Sequence, residues 1–182
     1  LFVIGVFMKI LSLLFLFASL NLWAGDIYDF KLDKIKEGTI DFTSLKEKPF
    51  MVVNIATRCG YTKQLDGLEK IYKKYKPQGL EIIAIPSNDF WGQTPEHDEE
   101  VAKFCRLKYG VSFPLVKKTR VKGKSKHPLI KHLIESDKKG EISWNFEKFL
   151  VNQDGKLVKR FKSSVKPTSK ELTTEIENLL KK

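Results

Sequence analysis

The chain has 182 residues, 42% of them apolar and 12% aromatic, and a formal charge of +11 at pH 7. That length holds one domain of ordinary size, and the content of Phe, Val, Ile and Leu excludes a disordered chain. Apolar residues crowd into the first 24 positions, 19 of which belong to the apolar set, and thin out afterwards, so a polytopic membrane protein is excluded as well.

Met8-Lys9, the apolar run Ile10 to Leu20 and the small residue Ala24 have the order of a secretory leader, with cleavage expected after Ala24. An uncleaved membrane anchor is the alternative, because Leu1 to Val6 lengthens the run that Lys9 interrupts. The expected division is therefore a leader over 1–24 and one domain over 25–182, exported to a periplasmic or other extracytoplasmic space. Lysines are scattered from Lys70 to Lys170 without aromatic interleaving or a nucleic-acid motif, so they read as a solvated basic surface and nucleic acid is not expected as a partner.

The elements follow in chain order. Tyr28 to Leu32 and Thr39 to Phe42 alternate as a short strand pair. Phe50 to Ile55 is a near-continuous apolar run, as in a central strand covered on both faces. Thr57 to Thr62 breaks it, and a helix carrying Leu65, Leu68, Tyr72 and Tyr75 on one face runs to Pro77 and Gly79. Leu80 to Ile85 is a second buried strand, and Pro86 opens a loop to Pro95. A helix over about Glu96 to Lys108 places Val101, Phe104 and Cys105 together. A helix near Pro128 to Ile134 follows, then a hairpin of Phe146 to Val151 and Lys156 to Phe161, turning at Asn152 to Gly155. Thr168 and Glu171 form a capping box for the last helix. This order predicts an α/β, thioredoxin-like fold, with a central mixed β-sheet flanked by helices.

Only two cysteines occur, Cys59 and Cys105, with no CxxC pair and no ligand spacing to the three histidines, so no metal site is expected. In an exported chain the plain reading is one structural disulfide. Position argues otherwise for Cys59, which stands where a central strand gives way to a helix. Free backbone N–H groups at such a junction favour negative charge, and the thiolate is the nucleophilic form of cysteine. Arg58 stands beside it, pointing either to the thiol or to solvent. The alternative for Cys59 is a small hydrophobe capping the strand, and Cys105, on an apolar helix face, reads first as core filler.

Four segments carry a family resemblance. Asn54-Ile55-Ala56-Thr57-Arg58-Cys59-Gly60-Tyr61-Thr62 resembles the active-site segment of the glutathione peroxidases. Ile85 to Gln93, Tyr109 to Leu115 and Trp144 to Val151 resemble three further segments of that family, in order, over about Tyr28 to Leu180. The resemblance implies that Cys59 is the peroxidatic cysteine and that Gln93, Trp144 and Asn145 complete a catalytic tetrad. An amide, an indole N–H and a second amide are neutral donors that stabilise a thiolate and orient a peroxide without protonating the sulfur.

The same resemblance assigns Cys105 the role of resolving cysteine of the thioredoxin-dependent branch. It implies a thiol peroxidase that reduces hydrogen peroxide and organic or lipid hydroperoxides through a sulfenic acid and an intramolecular disulfide, with no cofactor. A thioredoxin-like protein or glutathione is the implied reductant, and a peroxide sensor relaying oxidation to a partner is the alternative. Between His132 and Trp144 only eleven residues intervene, where tetrameric relatives carry a long loop, so a monomer is expected. Ser87, Asp89 and Trp91 depart from the family pattern. Ser87 reads as the loss of a non-catalytic thiol, while Asp89 and Trp91 are expected to alter the mouth of the site.

Overall fold

The structure is a computed structural model that describes residues 25–181. The expected leader over 1–24 lies outside the described residues. Among those residues, no helix is long and apolar enough to cross a membrane.

The sheet has four strands in the order β4-β3-β5-β6, formed by β3 (Phe50–Ile55), β4 (Glu81–Pro86), β5 (Lys148–Val151) and β6 (Leu157–Phe161). β3 runs parallel to β4 and antiparallel to β5, so the expected mixed sheet is present. A separate hairpin, β1 (Lys31–Asp33) with β2 (Thr39–Asp41), precedes it.

Every residue of β3 is buried, as its unbroken apolar run requires of a strand covered on both faces. The period of two divides it between two cores. Met51, Val53 and Ile55 meet α1 (Gln64–Tyr75), α2 (Asp98–Tyr109) and α4 (Lys170–Leu180), whereas Phe50 and Val52 meet α3 (Pro128–Asp137) and residues of the N-terminal hairpin. β4 divides in the same way, with Ile82 and Ala84 on one side and Ile83 and Ile85 on the other. Cys59 and Cys105 both belong to the first core.

Four expectations are corrected. Ile27–Asp29 is a 3-10 turn, because the Asp26 carboxylate accepts the Tyr28 N–H at 3.2 Å, and the strand starts only at Lys31. Phe146 adopts φ 66°, so β5 begins at Lys148. The second helix starts at Asp98 because Glu96 is engaged elsewhere, as described below. The last helix is capped by Ser169, whose hydroxyl accepts the Leu172 N–H, and not by Thr168 with Glu171.

Candidate active site

β3 delivers the chain to a tight turn, Ala56 to Lys63, before α1 begins. Within it the Cys59 N–H donates to Thr62 Oγ1 at 3.0 Å, Thr62 Oγ1 donates to the Ala56 carbonyl at 2.9 Å, and the Thr62 N–H donates to the Cys59 carbonyl at 3.0 Å. Thr62 thus closes the turn from both sides and leaves Cys59 at the protein's edge, 9% exposed. One donor reaches the sulfur, the Tyr61 N–H at 3.5 Å from Sγ. The first N–H groups of α1 are spent on turn carbonyls, Gln64 on Tyr61 and Leu65 on Thr62. The backbone donor that reaches the sulfur therefore belongs to the turn and not to the helix end. Arg58 does not attend the thiol: its Nε donates to Glu96 Oε1 at 2.7 Å, and Thr57 Oγ1 donates to Glu96 Oε2 at 2.6 Å. Burial pushes the Glu96 carboxyl up, and the hydrogen bonds from Thr57, from its own backbone N–H and from Arg58 outweigh it, leaving a net lowering.

Gln93 comes from the loop after β4 and touches the thiol turn through its backbone. Its carbonyl accepts the Arg58 N–H at 2.9 Å and lies 3.2 Å from the Thr57 hydroxyl oxygen. Its side-chain Oε1 accepts Asn145 Nδ2 at 3.0 Å. Asn145 is fully buried, and its own Oδ1 has no hydrogen-bond partner.

Trp144 and Asn145 are held by a residue that sequence reading passed over. Asn54, in β3 and 2% exposed, donates from Nδ2 to the Trp144 carbonyl at 3.1 Å and accepts the Glu147 N–H on Oδ1 at 3.0 Å. Its backbone carbonyl accepts the Phe146 N–H at 2.7 Å. Below this clamp Glu147, fully buried, accepts the Arg160 Nε at 2.6 Å, and the Ser143 N–H and hydroxyl. The signal available in the sequence was a polar residue inside an otherwise apolar central strand.

The indole of Trp144 is half-buried, between Phe90 (ring centroids 5.6 Å apart) and Trp91 (5.0 Å, interplanar angle 84°). Trp91 has φ 53° and Phe146 has φ 66°. A left-handed backbone costs a bulky L-residue on the order of 1–2 kcal/mol. Phe146 offsets that by full burial, whereas Trp91 is 85% exposed. Asp89 does not face the mouth of the site. Its carboxylate pairs with Arg120 Nε at 2.6 Å and accepts the Val121 N–H at 2.6 Å and the Ser87 hydroxyl at 3.2 Å. Both departures from the family pattern at Ser87 and Asp89 therefore anchor the loop.

Cys105 lies on α2, fully buried, and both cysteines are free thiols. Burial pushes the Cys105 thiol up to about 12, with Arg106 pulling the other way. Among the described residues no three His, Cys, Asp or Glu side chains stand together as metal ligands.

The site thus gathers a thiol near the surface, two carboxamides in contact and an adjoining indole. The sequence profile described as "Glutathione peroxidase" matches residues 27–134. The chain belongs to the glutathione peroxidase family. A glutathione peroxidase of Lactococcus lactis subsp. cremoris is 42% identical over 158 residues, covering 85% of this chain and 99% of that one. The glutathione peroxidase-like peroxiredoxin HYR1 of Saccharomyces cerevisiae is 48% identical over 145 residues, covering 77% and 87%. Among solved structures, the apo form of Trgpx superposes with a TM-score of 0.70 at 30% identity, over 87% of this chain and 97% of its own. A thiol:disulfide interchange protein DsbE of Chlorobium tepidum superposes at 0.60 with 17% identity over 86% and 94%, a likeness of fold alone. The fold is thus thioredoxin-like and the family activity is that of a peroxidase, acting on peroxide with a thiol reductant.

Proposed function

We propose that the protein is a two-cysteine thiol peroxidase in which Cys59 is oxidised and Cys105 resolves it. The observation that carries this reading is the Gln93–Asn145 contact, tied through the Gln93 carbonyl to the turn that bears Cys59. In the first step the Cys59 sulfur attacks one peroxide oxygen. An S–O bond forms, the O–O bond breaks, and the departing oxygen leaves as water or an alcohol after taking a proton, giving a sulfenic acid. Gln93, Trp144 and Asn145 donate toward the oxygen on which charge develops. In the second step the Cys105 sulfur attacks the Cys59 sulfur, an S–S bond forms and the S–O bond breaks, releasing water. A dithiol protein then supplies two electrons by thiol–disulfide exchange and returns both cysteines to thiols.

Two further parts of the reading concern the whole protein. Export is supported by the leader-like order of Met8 to Ala24, and the exported protein's N-terminal sequence is expected to begin at Gly25. The monomeric state is supported by the short stretch between His132 and Trp144, and sedimentation is expected to give the mass of one chain.

Peroxide consumption with a dithiol protein as reductant tests the mechanism. Cys59→Ser is expected to abolish it. Cys105→Ser is expected to reduce one equivalent of peroxide and then stall. Full turnover by Cys105→Ser with the same reductant assigns the chain a one-cysteine cycle with glutathione-type reduction. Efficient transfer of oxidation to a partner with little turnover favours the sensor.

A further inference from the structure

Trp91 is held at the rim of the site by a loop that does not need its side chain. Asn88 Oδ1 accepts the Thr94 N–H at 2.8 Å, Thr94 Oγ1 donates to the Ser87 carbonyl at 2.8 Å, and the Gln93 N–H donates to the Phe90 carbonyl at 3.2 Å. Asp89 fastens the same loop to residues 120–122. Trp91 and Gly92 are consecutive left-handed residues, φ 53° and 65°, a pair of conformations that glycine adopts freely and tryptophan does not. Strain of this kind persists where the side chain's position is useful. Burial does not explain it, because the indole is 85% exposed. What the geometry secures is an edge-on contact with Trp144, ring centroids 5.0 Å apart.

We propose that Trp91 is a specificity-determining residue, extending the face of Trp144 into an aromatic ledge that takes the organic portion of a bulky hydroperoxide. The inference rests on the peroxidase reading and deepens it. An exposed indole presents a large, rigid apolar surface that loses little side-chain entropy on contact. Two tryptophans at right angles form a corner rather than a slot, and a corner suits an aryl or branched alkyl tail whose O–O end reaches toward Cys59. Hydrogen peroxide has no tail and gains nothing from the ledge. The loop's own hydrogen bonds fix the backbone, so the ledge is removable without loss of the site.

The test compares the rate constant for Cys59 oxidation by cumene hydroperoxide with that by hydrogen peroxide, in single turnover. The proteins are wild type, Trp91→Gly, which also relieves the left-handed strain, and Trp91→Phe. The ratio of the two rate constants is expected to fall about tenfold in Trp91→Gly and to recover most of the way in Trp91→Phe. An unchanged ratio overturns the proposal, including the case in which both rate constants fall together and Trp91 merely supports Trp144. A loss confined to the reductant step also overturns it and assigns the exposed indole to docking of the reducing protein. Failure of the wild type to react with either peroxide overturns the peroxidase reading itself, an outcome no change in the ratio resembles.

Discussion

The two ends of one carboxamide fix the Trp144–Asn145 segment. Asn54 Nδ2 holds the Trp144 carbonyl and Oδ1 holds the Glu147 N–H, so the residues between them are spanned by a bracket built from the neighbouring strand. Asn54 is a positioning residue. Replacing it with Ala leaves a buried N–H and a carbonyl without partners, at a cost of about 1–3 kcal/mol. Asn54→Ala is therefore expected to remain folded, with the rate of Cys59 oxidation lowered about 10- to 100-fold. Indole emission is expected to shift as Trp144 leaves its place between Phe90 and Trp91. Stopped-flow oxidation and tryptophan fluorescence, both well below the melting temperature, check this. An oxidation rate within twofold of wild type removes the bracket from the catalytic account.

At the scale of elements, α2 is the part expected to move in the proposed cycle. Cys105 faces inward with Val101 and Ala102, while much of the helix surface is polar, so its apolar stripe is narrow. A disulfide needs Cα atoms within about 7 Å, and Cys59 and Cys105 sit on different elements. Opening of α2 also disturbs two links at its N-terminal end, the Asp98 carboxylate on the Lys118 N–H and Glu96 on Thr57 and Arg58. Local opening draws on weakly packed units. Amide exchange across Asp98 to Tyr109 is expected to accelerate after one equivalent of peroxide, with a Cys59–Cys105 link in the mass spectrum. Unchanged exchange in linked protein indicates that the Cys59 turn moves instead.

Periodicity made β3, β4, α1 and α3 legible, because each is fixed by which residues it buries. It missed what single side chains decide. The 3-10 turn at Ile27 depends on the Asp26 carboxylate, the late start of β5 on the left-handed Phe146, and the cap of α4 on Ser169 rather than its neighbour. The candidate site was legible as segments through Cys59, Gln93, Trp144 and Asn145. Their supports were not: Asn54 meets Trp144 across 90 positions and Thr57 meets Glu96 across 39, separations over which no local pattern speaks.

For the molecule as a whole, the sheet separates two cores, and a cluster of buried charge lies where β5 and β6 join them. Arg160 and Glu147 pair at 2.6 Å with side chains 1% and 0% exposed. Beside them Lys148, also fully buried, donates to Gln64 Oε1 and to the Val165 carbonyl, each at 2.6 Å, and so ties β5 to the start of α1. Burial pulls the Lys148 ammonium down to about 7, against a pull upward from Glu147. The folded protein thus holds this proton more weakly than the unfolded chain, where lysine titrates near 10.5. Between pH 7 and 10.5 the unfolded state binds more protons, and stability contributed by this group rises with pH; below pH 7 the full penalty applies. The wild type is expected to gain about 2 kcal/mol relative to Lys148→Met between pH 7 and 9. Denaturant unfolding of both proteins across that range checks the slope, and parallel curves refute it.

The depth of Cys105 also sets a clock. In the proposed cycle the sulfenic acid at Cys59 waits for a thiol that is fully buried on another element, so its lifetime is expected to be governed by a conformational step and not by sulfur chemistry. During that wait a second peroxide competes for the same atom and carries it toward sulfinic acid, which a dithiol does not reverse. At low peroxide the helix opens first and the cycle closes; at high peroxide the second oxidation overtakes it. In that cycle the packing of three small side chains, Val101, Ala102 and Cys105, is expected to set the peroxide dose at which the second oxidation wins.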